Sequence, residues 1–428
     1  MSSPQPHASY ERIDTDVLVV GAGPAGSAAA TWAARSGLDV VLIDAARFPR
    51  DKTCGDGLTP RAIAELNRLG MAGWLRGRTR NWGVVANAFG QSWHLPWPAS
   101  SFPSYGSATP RSELDEALLA VALAAGVRVR QETRTLAVER STSGAVKSVI
   151  CSSGTGSVAV RCRRLIVADG ARSKTGKMLG RIWHRETIYG VAARSYVPSA
   201  RADEPWITSH MDMKDPSGSA LPGYGWIFPL GNGAVNLGVG TLATGDRPAN
   251  INLSKLLHQY YLARRDEWGM TGEPDSVRSA LLPMGGSVSG IAGPNWVLIG
   301  DAAGCVNPLN GEGVDYGLET GRMAADLLAS GAGLARPGQD LSRAWPRLLG
   351  DRYGHTYSAS RRVGHLFLNP RLLSTVGPYG MRSRALMNMI MRVAGNFITD
   401  EDTDLIARLW RVAGRWSWDK DERPPFSN

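Results

Sequence analysis

Four cysteines in 428 residues (Cys54, Cys151, Cys162 and Cys305) form no metal-type pair. That excludes a disulfide-framed secreted scaffold, and it excludes an iron–sulfur cluster, which needs grouped thiolates. A reducing, cytoplasmic setting follows, in which Cys151 and Cys162 could face each other across a hairpin yet stay reduced. His184, His210, His355 and His365 show neither ligand spacing nor a nucleophile partner, so no metal site is expected. No run reaches the ~20 apolar residues of a spanning helix. The opening MSSPQPHASYERID lacks the apolar segment of a signal peptide, and residues 1–14 are expected to be disordered. Internal repeats are absent too. What the chain has in excess is positive charge: 48 Lys and Arg against 38 acids, a net +10. Such a balance suits an anionic partner, either nucleic acid or a membrane surface.

The most informative stretch is TDVLVVGAGPAGSAAATWAARSGLDVVLID, residues 15–44. An apolar strand, Val17 to Val20, runs into Gly21, Gly23, Pro24, Ala25 and Gly26, and a helical pattern starts at once. Gly21 permits a tight turn, Gly23 lets backbone approach a pyrophosphate, and Gly26 lets helix pack on strand. The helix start offers free N–H groups to phosphate. A second strand ends at Asp44, 18 residues after Gly26, where a carboxylate can accept a ribose hydroxyl. Strand, helix, strand and acid together predict a dinucleotide site.

Further along, AARFPRDKTCGDGLTP is a loop too long for a simple connector, and such loops are usually functional. Thr59 and Pro60 predict an N-cap and first turn for a helix to about 69. Residues 82–105 are aromatic and strand-like. A helix is expected over 111–125, then strands near 127–131, 134–140, 146–150 and 157–162, with another over 164–170 ending at Asp169. Residues 187–285 are strand-rich, with one helix near 252–265. WVLIGD (296–301) repeats the strand-to-acid pattern, and a helix follows over 314–328. The expected division is a discontinuous nucleotide domain (15–80, 106–185, 286–330), an inserted sheet domain (81–105, 186–285) and a basic helical tail (331–428). Between Leu341 and Phe397 stand nine Arg and one acid, Asp351, interleaved with apolar residues. Basic amphipathic helices lie on anionic lipid. No nucleic-acid-binding module accompanies the charge, so a peripheral membrane surface is the expected partner.

Three glycine and acid sites at strand ends say more than one. Asp301 suits a second sugar-like hydroxyl, the ribityl chain of a flavin. The loop Asn307 to Gly313, with Gly311, Glu312 and Gly313, precedes a helix whose N–H groups can stabilise a reduced flavin ring. FAD is therefore the expected cofactor. The motifs GAGPAG (21–26), ADGARS (168–173) and GDAAGCVNP (300–308) resemble the FAD-binding architecture of the para-hydroxybenzoate hydroxylase type. That resemblance implies an α/β fold, α+β overall, with a Rossmann-type domain, an inserted antiparallel-sheet substrate domain and a C-terminal helical region. It also implies FAD contacts from Gly21, Gly23, Gly26, Asp44, Arg111, Asp169, Asp301 and Gly313.

FPRDKTCGDGLTPRAIAEL (48–66) and GYGWIFPLGNGAVNLGVG (223–240) are similar to the Cys-Gly loop and the Tyr-x-Trp-x-Phe-Pro segment of the geranylgeranyl reductase family. Likeness to the menaquinone-reducing actinobacterial branch covers nearly the whole chain, as in WHRETIYGVA, LLPMGG and the ending RPPFS. What it implies is saturation of one double bond in the isoprenyl tail of menaquinone, at the second unit from the ring. An unactivated alkene needs a hydride and a proton, so the protein must supply position, dryness and an acid. Tyr224, Trp226 and Phe228 alternate along a strand and should form one aromatic wall, closed by Pro229, for a prenyl chain. The small residues from Asn236 to Gly240 should leave room beside it. Cys54 and Gly55 lie in the loop expected near the flavin; Cys54 is either a proton donor or an inert buried thiol. Glu312 reads as a helix-dipole partner. No second nucleotide fingerprint is present, so electrons come from a transient NAD(P)H or from a reduced carrier. The other readings are a flavin monooxygenase on this scaffold and a non-catalytic electron-transfer flavoprotein acting on the quinone.

Overall fold

A computed structural model of the chain describes residues 11–154, 156–215, 218–330 and 340–427. The runs VLVV, VVLI and LIV become buried strands of a parallel sheet, which is covered on both faces and so reads as continuous apolar sequence. Five of the eight strands of this sheet run in the spatial order Arg128–Arg130, Val40–Ile43, Glu11–Val20, Gly156–Val167, Trp296–Leu298, and Val146–Ser153, Arg134–Arg140 and Ala292–Gly293 add antiparallel pairs. The four pairings among these five strands are parallel. The order reverses beside Glu11–Val20, and such a reversal opens a crevice at the carboxyl ends of the strands. The helices Pro24–Arg35 and Val314–Ser330 pack together on this sheet.

Two local expectations are corrected here. Residues 11–14 are strand, because Glu11 to Asp14 pair in register with Val158 to Arg161; residues 1–10 lie outside the described residues. The two strands expected over 157–170 are one, Gly156–Val167: Arg161 and Arg163 only mark its exposed side, while Cys162 between them is buried. Cys151 stands opposite Val158, so Cys151 and Cys162 are not cross-strand partners, and both are free thiols.

The second sheet has seven strands, ordered Arg278–Pro283, Tyr189–Pro198, Ala234–Ala243, Gly223–Pro229, Ile207–His210, Gly83–Ala88, Gln91–Pro96. The expected antiparallel sheet carries one parallel seam, where Ile207–His210 meets Gly83–Ala88 and two distant chain segments join. Helix Leu253–Arg264 covers one face, packing Leu256, Leu257, Tyr260 and Tyr261 on Ile227, Val235, Leu237 and Val239. The opposite face looks toward the parallel sheet.

In the tail, Leu341, Trp345, Leu349, Tyr353 and Tyr357 join the core of the parallel sheet, and Trp345 Nε1 donates to Leu298 O at 2.8 Å. This part is not a lipid face. Several of the nine arginines are also committed internally. Arg352 pairs with Glu319, Arg361 is buried against Asp421, and Arg392 holds Asp402 and Asp404. The exposed apolar stripe lies further on, in helix Leu405–Asp419. Leu405, Leu409, Val412 and Trp416 fall three or four residues apart there and are 70, 59, 53 and 58% exposed. Among the described residues no helix is long and apolar enough to cross a membrane.

Candidate active site

One cavity of about 1370 Å³ runs between the sheets and out beneath the tail helices. It exceeds the roughly 300–1,000 Å³ of an ordinary small-molecule site. At its inner end lies the glycine turn. Gly21 has φ +102°, and a Cβ there would sit 2.4 Å from Ala168 O. Gly26 lies off the cavity wall; its Cβ would fall 1.7 Å from Gly21 O, so its task is close helix–strand packing. Gly23 is open to the cavity, with the Arg50 and Arg111 guanidiniums 3.6 and 3.7 Å from where its Cβ would be. Asp115 holds both arginines. It accepts from Arg111 Nε and Nη2 at 2.7 and 2.8 Å and pairs with Arg50 at 2.9 Å. A glycine turn, a helix start and two oriented guanidiniums make a cradle for a pyrophosphate.

The acids at the strand ends differ in their commitments. Asp44 lines the cavity and accepts from Ala22 N at 2.7 Å and Ala46 N at 2.8 Å, which fixes its carboxylate. Asp169 turns to Ser173 Oγ and to Thr175 N, so it holds the following turn. Asp301 lies in a 3₁₀ turn after Trp296–Leu298, and a Cβ on Gly313 would come within 3.1 Å of its Oδ1. Among the described residues the Asp301 side chain has no hydrogen-bond partner, which leaves it available to a ligand hydroxyl. Pro24, Ala25, Gly311 and Glu312 complete this wall. Glu312 accepts from Thr59 Oγ1. Burial, and then the charge of Asp315, push its carboxyl well above the usual range. Its hydrogen bonds to Thr59 and Asn310 hold it at the start of helix Val314–Ser330, the position the sequence gives a dipole partner.

The aromatic wall forms as the alternation predicts. Tyr224, Trp226 and Phe228 share a face, with ring centroids 5.8 and 6.2 Å apart in turn, and all three line the cavity. Pro229 does not; the same alternation turns it to the other face, where it is buried beside Val235. The space expected beside Gly238 is not free either, since its Cβ would lie 2.0 Å from the Trp226 ring. The small residues there make room for the indole. Phe228 lies over Gly55 and Gly57, so the wall rests directly on the Cys54 loop. Tyr224 Oη donates to Asn310 O at 2.6 Å and ties the wall to the loop before helix Val314–Ser330.

Cys54 is half-buried in the cavity lining and accepts a hydrogen bond from Asp56 N at 3.3 Å. Burial pushes its thiol up, while the Arg111 charge opposes the shift. Asp56 is buried at φ +63°, and burial raises its carboxyl to about 6 against hydrogen bonds from Tyr196 and Asn236. Sequence reading does not single out Arg50, Asp56 or Tyr196, and it gives Thr59 only as a helix N-cap, not as the partner of Glu312. The only local trace is polar residues punctuating the long loop, and their partners come from other strands.

Crevice, cradle and strand-end acids define a flavoprotein with a Rossmann-type FAD domain. Residues 14–333 match the family model described as FAD binding domain. The chain is 58% identical to menaquinone reductase of Mycolicibacterium smegmatis, over 96% of this chain and 99% of that protein. It is 29% identical to digeranylgeranylglycerophospholipid reductase 1 of Methanosphaera stadtmanae, over 74% of this chain and 75% of the other. In fold it is similar to a solved geranylgeranyl bacteriochlorophyll reductase-like protein of Thermoplasma acidophilum. There the TM-score is 0.77 at 20% identity, covering 94% of this chain and 100% of the other. The chain belongs to the FAD-binding-domain family and, within it, to the menaquinone reductases.

Proposed function

We propose that this protein is an FAD-dependent reductase that saturates one double bond in the isoprenyl tail of menaquinone, at the second unit from the ring. The observation that carries this reading is continuity. One cavity joins the glycine cradle to the aromatic wall and then to an apolar exit formed by Leu366, Phe367, Val376, Ile390 and Leu409. A prenyl chain fits such a path, whereas a small polar substrate would not need it.

Gly21 to Ala25, Arg50 and Arg111 would receive the pyrophosphate. Asp44 would hold the adenosine ribose and Asp301 the ribityl chain, and the loop Gly311 to Gly313 would supply backbone N–H groups to the flavin. Bound FAD, once reduced, supplies the hydride. Tyr224, Trp226 and Phe228 hold the alkene and exclude water. Cys54, whose raised thiol keeps its proton at neutral pH, donates that proton to the second alkene carbon. The thiolate left behind is stabilised by Arg111 and recovers a proton from solvent. Hydride and proton together add two hydrogens to the alkene.

The substrate reaches this site from a bilayer. The exit residues are exposed, Leu409 also belongs to the stripe Leu405, Leu409, Val412, Trp416, and Arg371, Arg382, Arg384 and Arg408 stand exposed close in sequence to residues that line the cavity. That combination fits a helix lying in an anionic membrane surface. The test is an anaerobic single turnover of the flavin-reduced enzyme with menaquinones of defined tail length. Products should be two mass units heavier, with the change in the second isoprene. A product sixteen units heavier that requires oxygen would establish a monooxygenase instead, and reduction of the ring alone would establish an electron-transfer protein.

A further inference from the structure

Between the aromatic wall and the Cys54 loop sits a single amide, Asn236, in the strand Ala234–Ala243, with 0% of its surface exposed. Its Oδ1 accepts from Trp226 Nε1 at 2.9 Å. Its Nδ2 donates to Cys54 O and to Asp56 Oδ2, both at 2.9 Å. Both amide hydrogens and the carbonyl are therefore used, and each goes to a different part of the site. Asp56 extends the node. Its N–H donates to Cys54 Sγ, its carbonyl accepts from Thr109 N at 3.0 Å, and its carboxylate accepts from Tyr196 Oη at 2.6 Å.

We infer that Asn236 is the positioning residue that locks the Cys54 loop to the Trp226 wall and so fixes the distance between thiol and bound alkene. Chemistry selects an amide here, because the position must accept from an indole N–H and donate to a carbonyl and a carboxylate at once. Aspartate would set a carboxylate against Asp56 and the Cys54 carbonyl. Leucine would leave the Trp226 N–H and the Cys54 carbonyl unpaired in a dry interior. Asn236 need not touch the substrate: a displacement of the loop by about 1 Å is enough to slow a proton transfer by ~100-fold.

The role assigned to the thiol rests on the reductase reading, but the lock can be read without turnover. The other three cysteines are at most 9% exposed, so maleimide labelling of the native, flavin-loaded chain reports Cys54, with C54S as the control. N236L and N236D should each raise the labelling rate by about 10-fold or more. Both should lower kcat about 30- to 100-fold with KM within about threefold, while flavin content and spectrum stay those of the parent. Adding D56N to N236D exchanges donor and acceptor across the node and should restore much of the protection from labelling. Parental labelling in N236L would overturn the inference. So would a uniform exposure of all four thiols with loss of flavin that D56N does not relieve. If labelling follows these expectations but no alkene is ever reduced by the parent, the lock stands and the reductase reading falls.

Discussion

Cys54 and Asp56 are two residues apart and share one dry environment, yet burial serves them differently. A thiol raised by desolvation remains a proton carrier at neutral pH, and the nearby Arg111 limits the cost of the thiolate once the proton has left. C54A should therefore lower kcat for alkene reduction by about 10²–10⁴ at unchanged flavin content, with C54S intermediate. Rapid-quench product analysis checks this, and near-parental rates in C54A would return Cys54 to the role of a packing residue. For Asp56 the folded value of about 6 exceeds the ordinary 3.8. Between those values the folded chain holds a proton that the unfolded chain has released. The stability contributed by neutral Asp56 is thus complete below about pH 4 and is lost as pH rises through about 6. The groups facing it are Tyr196 and Arg194 from one strand, Asn236 from the next, Arg111 from the helix and Cys54 in its own loop. Asp315 is also raised to about 6, so the parent's profile contains both acids. D56N isolates one of them. Relative to D56N, the parent should lose about 2 kcal/mol of unfolding free energy between about pH 4.5 and pH 7.5, read from urea midpoints.

Elements built from local pattern were the legible ones. The turn from Glu11–Val20 into Pro24–Arg35 follows from glycine spacing and apolar runs within thirty residues, and Thr59-Pro60 marks the start of helix Pro60–Arg68. The alternation of Tyr224, Trp226 and Phe228 gives their common face, because period two is a property of any strand. What was not legible depends on partners brought from far along the chain. Asp56 meets Tyr196 and Asn236 only because the loop lies under the second sheet, and Glu312 meets Thr59 across 253 residues. Gly238 misleads for the same reason, since nothing local says that Trp226 fills the space beside it. Two glycines separate these cases experimentally. G26A forces a Cβ into backbone at 1.7 Å and should give protein with less than about a tenth of the parent's flavin. G238A pushes on the Trp226 ring at 2.0 Å, and it should keep its flavin while turnover falls about 10-fold or more. Absorbance at the flavin band and single-turnover rates distinguish them.

At the scale of the whole molecule the parallel sheet fixes the cofactor, the seven-stranded sheet supplies the wall, and the tail decides where the cavity opens. The early tail helices are spent on the core, through Trp345, Tyr353 and Tyr357, which explains why an Arg-rich sequence from 341 onward overstates the basic surface. The surface that the proposed lipid contact can use is narrow: the stripe on Leu405–Asp419, the exposed exit residues and a few exposed arginines near them. A narrow apolar stripe with scattered arginines predicts reversible binding that depends on both area and charge. The triple substitution L405S/V412S/W416S removes three exposed side chains that do not line the cavity. It should weaken co-sedimentation with vesicles rich in anionic lipid about 10-fold or more, while turnover of a detergent-dispersed short-tail quinone stays near the parent's. Raising salt from about 0.05 to 0.5 M should weaken the parent's vesicle binding in the same direction, because the Debye length shrinks to a few ångströms. If the parent binds neutral and anionic vesicles equally, the arginines have no part in docking. If the triple variant still sediments fully, the stripe is covered by something other than lipid, and the exit must receive its substrate from a carrier instead of a bilayer.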